Sequence, residues 1–90
     1  MSGGQLKVLM AYMPKDMENN AITWFSEAFS TYSKYKDMAD YLKQKFDHIY
    51  GRNWQCVIGH DFESSITHLD HNLIYFQSND LEVLLFKTAY

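Results

Sequence analysis

Ninety residues with 47% hydrophobic and 17% aromatic content suffice for one folded domain, since a chain of this size buries about 60–70% of its unfolded surface without disulfides or metal. Eight Lys and Arg against eleven Asp and Glu leave a formal charge of -3, and no basic cluster is present to neutralise phosphates, which argues against nucleic acid or an anionic membrane surface as a partner. The lone cysteine, Cys56, cannot form an intramolecular disulfide, so a stapled secreted scaffold is excluded and a reducing compartment is expected.

The opening Met1-Ser2-Gly3-Gly4 carries no basic segment followed by an apolar run, and no lipidation motif ends the chain. The expected address is the cytosol. No uninterrupted apolar stretch approaches the roughly 20 residues needed to span a bilayer.

In chain order, Leu6, Val8, Met10 and Tyr12 alternate with Lys7, Leu9 and Ala11, which predicts a first strand ending at Met13-Pro14. Pro14 suits the first turn of a helix. From there Met17, Ala21, Trp24, Ala28 and Tyr32, flanked by Ile22, Phe25 and Phe29, recur at intervals of three and four and define one broad apolar face. Ser30 to Lys34 interrupts that pattern. A second helix is predicted through Tyr35, Met38, Ala39, Leu42, Phe46, Ile49 and Tyr50, with Gly51 as its stop.

After Asn53 the period changes from 3.6 to 2. Trp54 to Ile58, Leu73 to Phe76 and Val83 to Phe86 are rich in β-branched, aromatic and aliphatic residues and bounded by turn-formers. Between them, Phe62 to Thr67 alternates apolar with small or charged residues, the pattern of a half-exposed strand at a sheet margin. The turns are Gly59-His60-Asp61, Leu69-Asp70-His71-Asn72 and Ser78-Asn79-Asp80. The predicted order is β-α-α-β-β-β-β, an α+β fold in which two helices cover one face of an antiparallel sheet, within a single domain over residues 1–90. Leu73 to Phe76 and Val83 to Phe86 are apolar at successive positions, hence on both faces. Two helices cover only one. The uncovered face predicts a second copy of the chain, a homodimer.

Several residues invite chemistry. Cys56 could act as a nucleophile with a histidine base, but no spacing ties a histidine to it, and a free cysteine in mid-strand ordinarily behaves as a small hydrophobe. His60-Asp61 and His68, Asp70 and His71 contain metal-ligand types without a paired spacing, so no metal and no cofactor are expected. Lys36, Asp37, Asp40, Lys43 and Lys45 read as a solvated helix face with i,i+4 pairing. Phe62 to Thr67 remains open between an ordinary edge strand and a docking edge for an extended peptide.

Trp54-Gln55-Cys56-Val57-Ile58-Gly59, Phe62, Thr67-His68, Ile74-Tyr75-Phe76 and Leu84-Leu85-Phe86-Lys87, with Lys36-Asp37, Phe46-Asp47 and Tyr50 in the second helix, resemble the small dynein light chains of the eight-kilodalton class. The resemblance covers nearly the whole chain and is loosest in the first helix. It implies a strand-exchanged homodimer, in which Phe62 to Thr67 crosses to pair with the partner's Trp54 to Gly59 strand. It also implies two equivalent grooves that bind disordered client segments, among them the dynein intermediate chain, by strand addition. The implied role is a non-catalytic subunit of the dynein motor and a dimerisation hub, cytoplasmic and associated with the cytoskeleton.

By the same resemblance, the groove would be lined by Leu9 on the first strand and by Tyr35 and Lys36 on the second helix. His60, Asp61, Phe62, Glu63, Ser64, Ser65, Ile66, Thr67 and His68 would form the docking strand, with Leu73, Tyr75 and Gln77 beyond it. The dimer interface would use Lys43, Trp54, Gln55, Val57, Phe62, Ser64, Ser65, Thr67 and Thr88. The departures concern specificity. The family's usual Arg-Asn-Phe-Gly-Ser-Tyr is His60-Asp61-Phe62-Glu63-Ser64-Ser65 here, the glutamate before the groove lysine is Tyr35, and Gln77 replaces an aromatic residue. Acidic clients and the family's usual Thr-Gln-Thr peptides are therefore expected to bind poorly. Gln55 stands where relatives carry a titrating interface histidine, which predicts a dimer less sensitive to mild acid. Thr88 keeps the hydroxyl of a serine at which phosphate charge would oppose dimer packing. The alternative is a paralogue that has left the motor and serves as a scaffold with altered clients. A third possibility, a small thiol or zinc enzyme, would lose activity on Cys56→Ser or carry bound zinc.

Overall fold

The computed structural model describes residues 6–60 and 72–88. Strand β1 (Leu6–Tyr12) leads into helix α1 (Lys15–Thr31) and helix α2 (Tyr35–Tyr50), followed by strands β2 (Trp54–Gly59), β3 (Leu73–Ser78) and β4 (Leu81–Lys87). The expected strand at Phe62 to Thr67 lies outside the described residues. The others appear where the period changes predicted them.

The ends of the helices follow from local chemistry. Pro14 occupies the position before the first turn of α1, and its carbonyl accepts from the Met17 and Glu18 N–H groups at 3.0 and 3.1 Å. Asp16 and Glu18 place negative charge at that end, where the helix dipole favours it. Gly51 closes α2 at a φ of 86°, in the left-handed region that a residue without Cβ enters freely.

All strand pairs are antiparallel, in the order β1-β3-β4-β2. Strands β3 and β4 form a hairpin whose register closes at Ser78 opposite Leu81. Asn79 in the turn takes a φ of 57°, a conformation that asparagine tolerates better than most residues.

The register assigns each side chain to a face. Trp54, Cys56 and Ile58 of β2 share one face with Leu85 and Val83 of β4 and with Ile74 and Phe76 of β3. Both helices pack on this face. Ala21 and Phe25 of α1 and Leu42 and Phe46 of α2 join Trp54, Ile74, Phe76, Val83 and Leu85 in one buried cluster. Aromatic edges knit it together: Phe46 meets Trp54 at 4.7 Å and Trp24 at 5.3 Å between centroids, and Phe25 meets Phe76 at 5.5 Å. Polar links join the helices, with Tyr41 donating to Glu27 Oε1 at 2.7 Å. That bond raises the Tyr41 phenol above its ordinary value, with burial and the Glu27 charge adding to it.

Three expectations change in detail. Phe29 and Ile49, counted on the packed helix stripes, are 54% and 52% exposed, and Tyr32 lies beyond the end of α1 and is exposed. The stripe that packs is narrower, spaced at Ala21, Phe25 and Ala28 in α1 and at Met38, Leu42 and Phe46 in α2. In β1 an irregularity between Val8 and Met10 breaks strict alternation. Val8 opposes Phe76 on the helix side, whereas Met10 and Tyr12 oppose Tyr75 and Leu73 on the other. The extra residue, Leu9, reverses the facing of everything after it.

Candidate functional site: a groove beside a sheet margin

Strand β2 lies at the margin of the sheet and pairs with β4 on one side only among the described residues. Its outward edge is fixed by alternation. Thr88 N donates to Asn53 O at 2.9 Å, so backbone groups of that parity, at Gln55 and Val57, turn toward β4. Those of Trp54, Cys56 and Ile58 turn outward. The Trp54 N–H is already taken, because Asp47 Oδ1 accepts from it at 2.8 Å. Asp47 Oδ2 is also ion-paired to Lys43. Burial alone would push the Asp47 carboxyl up, but the Lys43 ammonium, the Trp54 N–H and the Arg52 charge outweigh it and hold the group below its ordinary value. What remains for an incoming strand is the Trp54 carbonyl and the backbone of Cys56 and Ile58.

Beside this edge runs a groove of about 330 Å3, walled by Tyr35, Lys36, Ala39 and Asp40 of α2 and by Cys56, Val57 and Ile58 of β2. Val57 is 46% exposed. The Lys36 ammonium, whose side chain is 85% exposed, stands 3.7 Å from Asp40 Oδ2, an i,i+4 pair loose enough to exchange for another partner. At the far end of β2, the Tyr35 hydroxyl and His60 Nε2 are 2.7 Å apart, and His60 Nδ1 lies 3.0 Å from the Asp80 carbonyl. The usable edge is bounded at both ends, by Asp47 and by the Tyr35–His60 contact.

Burial, with the Asp40 carboxylate adding to it, pushes the Cys56 thiol far above its ordinary value. It stays protonated at neutral pH, the opposite of what a nucleophile needs. No group of three or more His, Cys, Asp or Glu side chains stands together among the described residues. His68 and His71 lie outside them. No helix among the described residues is long and apolar enough to cross a membrane.

This sequence and this fold both recur in known proteins. The family model for dynein light chain type 1 matches residues 5–88. A cytoplasmic dynein light chain of Emericella nidulans is 41% identical over 76 residues, covering 84% of this chain and 81% of the relative. This chain belongs to the dynein light chain family. The fold agrees with the dynein light chain-like domain of the calcium binding protein FhCaBP2 from Fasciola hepatica, at 24% identity and a TM-score of 0.78 over 97% of this chain and 94% of that one. A mercury derivative of the same domain superimposes with a TM-score of 0.76 over 100% and 98% of the two chains.

Within this dynein light chain, the residues expected at the groove separate into two sets. Tyr35, Lys36 and His60 stand together at the α2–β2 groove. Leu73, Tyr75 and Gln77 belong to the outer face of β3, with Leu9 at the bulge of β1, and β4 separates them from β2. There Tyr75 donates to Glu82 Oε1 at 2.9 Å, while Leu73 is buried. Asp61 to His68 lie outside the described residues. Of the residues expected at a dimer interface, Val57 and Gln55 are exposed on β2, whereas the Trp54 side chain is fully buried in its own core against Phe46. Trp54 can lend an interface only its strand backbone. Lys43 is engaged by Asp47, and the Thr88 hydroxyl donates to Asn53 O at 3.3 Å.

Sequence reasoning missed Ala39, Asp40, Cys56 and Ile58 as groove walls. Asp40 was placed on a solvated helix face and Cys56 in the core. Both residues touch two environments, and only the crossing of a 3.6-period helix over a 2-period strand reveals which of their surfaces stay open.

Proposed function

We propose that this chain is a non-catalytic, dimeric light chain of the dynein motor that also serves as a hub for extended, disordered client segments, in a cytoplasmic and cytoskeleton-associated setting. The observation that carries the reading is the bounded outward edge of β2 beside the α2 groove. Backbone groups at Cys56 and Ile58 offer sequence-tolerant hydrogen bonds to an added strand, while Tyr35 and Lys36 offer side-chain selection. An edge left unpaired among the described residues calls for a partner, because unpaired strand margins are otherwise sites of aggregation.

In this reading the partner's Phe62 to Thr67 pairs with β2, and the client adds to that crossing strand. The split of groove residues into two sets then has a purpose: Tyr35, Lys36 and His60 come from one subunit and the Leu9, Leu73, Tyr75 and Gln77 face from the other. Two grooves per dimer make binding to a dimeric client bivalent, which raises avidity without any new contact. Sedimentation at micromolar concentration and neutral pH is expected to show a dimer that persists at pH 5.5, with Gln55 in place of a titrating histidine. A stable monomer would overturn the reading.

A second reading, a scaffold with altered clients outside the motor, is favoured by one observation. The groove rim carries a Tyr35–His60 contact where the resemblance leads one to expect a glutamate and an arginine. Pull-down with a dynein intermediate-chain segment separates the two: capture supports the motor subunit, and failure to capture alongside binding of other extended peptides supports the scaffold.

A further inference from the structure

The Tyr35–His60–Asp80 chain of contacts ties three elements together at one corner: the first turn of α2, the end of β2 and the turn between β3 and β4. The Asp80 carbonyl can only accept, so in the neutral imidazole the proton sits on Nδ1 and Nε2 is left with a lone pair. Nε2 then accepts from the Tyr35 hydroxyl. The Tyr35 proton is committed to His60, and the phenol oxygen of this groove-lining residue can offer a docked segment only lone pairs. When the imidazole gains its second proton, Nε2–H becomes the donor and the phenol oxygen accepts. The Tyr35 hydroxyl proton is then released toward the groove, and a positive charge appears behind it.

We propose that Tyr35 is a specificity-determining residue of this groove and that His60 positions it as a proton-dependent selector. With His60 neutral the rim favours client side chains that donate, such as amides and ammonium groups. With His60 protonated it favours acceptors, carboxylates above all. The inference rests on the peptide-docking reading given above and names the client chemistry of that same site. The rings support the pairing, standing 5.4 Å apart in an edge-to-face arrangement that holds the two polar atoms in register.

The titratable and charged groups on the surrounding elements are Lys36, Asp37 and Asp40 on α2, Asp80 in the turn and Glu82 on β4 opposite Gly59. Asp61 and Glu63 follow His60 in sequence. Carboxylates and ammonium groups ordinarily keep one charge between pH 5.5 and 8.0, the window in which imidazole changes its own.

The test uses a fluorescein-labelled ten-residue peptide centred on Thr-Gln-Thr and its versions with the central Gln replaced by Glu or by Lys. Fluorescence polarisation is read at pH 8.0 and 5.5 with the full chain and with H60Q and Y35F. With the unaltered chain, affinity for the Glu peptide relative to the Gln and Lys peptides is expected to rise about tenfold on acidification, the size of one good charge-assisted hydrogen bond. H60Q, whose amide takes the place of Nε2 beside Tyr35 but cannot gain a proton, is expected to bind with no such change. Y35F keeps the histidine and its charge but lacks the hydroxyl, and is expected to lose most of the gain. A gain that survives in H60Q, or in full in Y35F, overturns the proposal while leaving the groove intact. A pH-independent preference in the unaltered chain does the same. Failure of all three peptides to bind at either pH, up to millimolar concentration, overturns this inference, and failure of unrelated extended peptides to bind as well overturns the docking reading with it.

Discussion

The two faces of the sheet are built from the same four strands and differ in how far the chain completes them. On the helix side, Trp54, Ile74, Phe76, Val83 and Leu85 are fully buried beneath α1 and α2. On the opposite side the register lines up Met10, Tyr75, Leu84 and Val57 across the sheet, an apolar row that stays partly open. Apolar alternation cannot distinguish the two rows. The difference arises because the helices of one chain have only one face each to give, so the outer row and the β2 edge are left for something else.

The strongest break falls on the completed face. Phe46→Ala removes a ring packed against Trp24, Tyr50 and Trp54, and is expected to cost about 3–5 kcal/mol in urea unfolding. In a domain of this size that is a large share of total stability. On the open side, Val57→Asp is expected to leave the monomer folded by circular dichroism. Its effect belongs to association, about thirtyfold weaker by sedimentation or roughly 2 kcal/mol, because a carboxylate would be desolvated at the edge. An unfolded Val57→Asp chain would mean that this edge is part of the core after all.

Asp47 stands where the two regions meet, and Asp47→Asn is expected to cost about 1–2 kcal/mol in the same unfolding assay, through the weakened bond to the Trp54 N–H and the lost Lys43 pair. The pH dependence has a definite sign. Because the folded carboxyl is held below its ordinary value, its contribution is complete above the unfolded-state value. It fades as pH falls from about 4 downward through the folded one. The stability gap between the native chain and Asp47→Asn should close on that acid limb, and a gap that widens there would contradict the assignment. The smallest effect is expected at Phe29→Ser and Ile49→Ser. Both residues are more than half exposed on the outer helix surface, so each change should stay within about 0.5 kcal/mol.

How much of this was legible in the sequence depends on the range of the interaction. Pro14 and Gly51 mark helix ends because their backbone chemistry is local, and the runs at Trp54, Leu73 and Val83 announce strands for the same reason. The bulge at Leu9 left no local signal. Strict alternation through Leu6, Val8, Met10 and Tyr12 placed all four on one face, and only pairing with β3 shows the reversal after Val8. The exposure of Phe29 and Ile49 is likewise a matter of how the helices roll on the sheet, which periodicity bounds without fixing. At the site, Lys36 and Tyr35 were readable through the family resemblance. The Tyr35–His60 contact was not, because it joins residues 25 positions apart through side chains that carry no pattern.

The hairpin of β3 and β4 bears on the order in which the fold can form. Among the described residues β1 pairs only with β3, and β2 only with β4. The two outer strands never touch each other. A chain growing from its N-terminus therefore carries β1, both helices and β2 before it holds any strand with which to begin a sheet. The two-residue turn at Asn79 and Asp80 closes a short loop at little entropic cost, whereas joining β1 to β3 closes one of some sixty residues. The local hairpin is thus the natural nucleus, with the long-range pairings following. Until it appears, the apolar strands on either side of the helices have no partner among the described residues of their own molecule, and the growing chain is most exposed to wrong pairing just before its last two strands emerge.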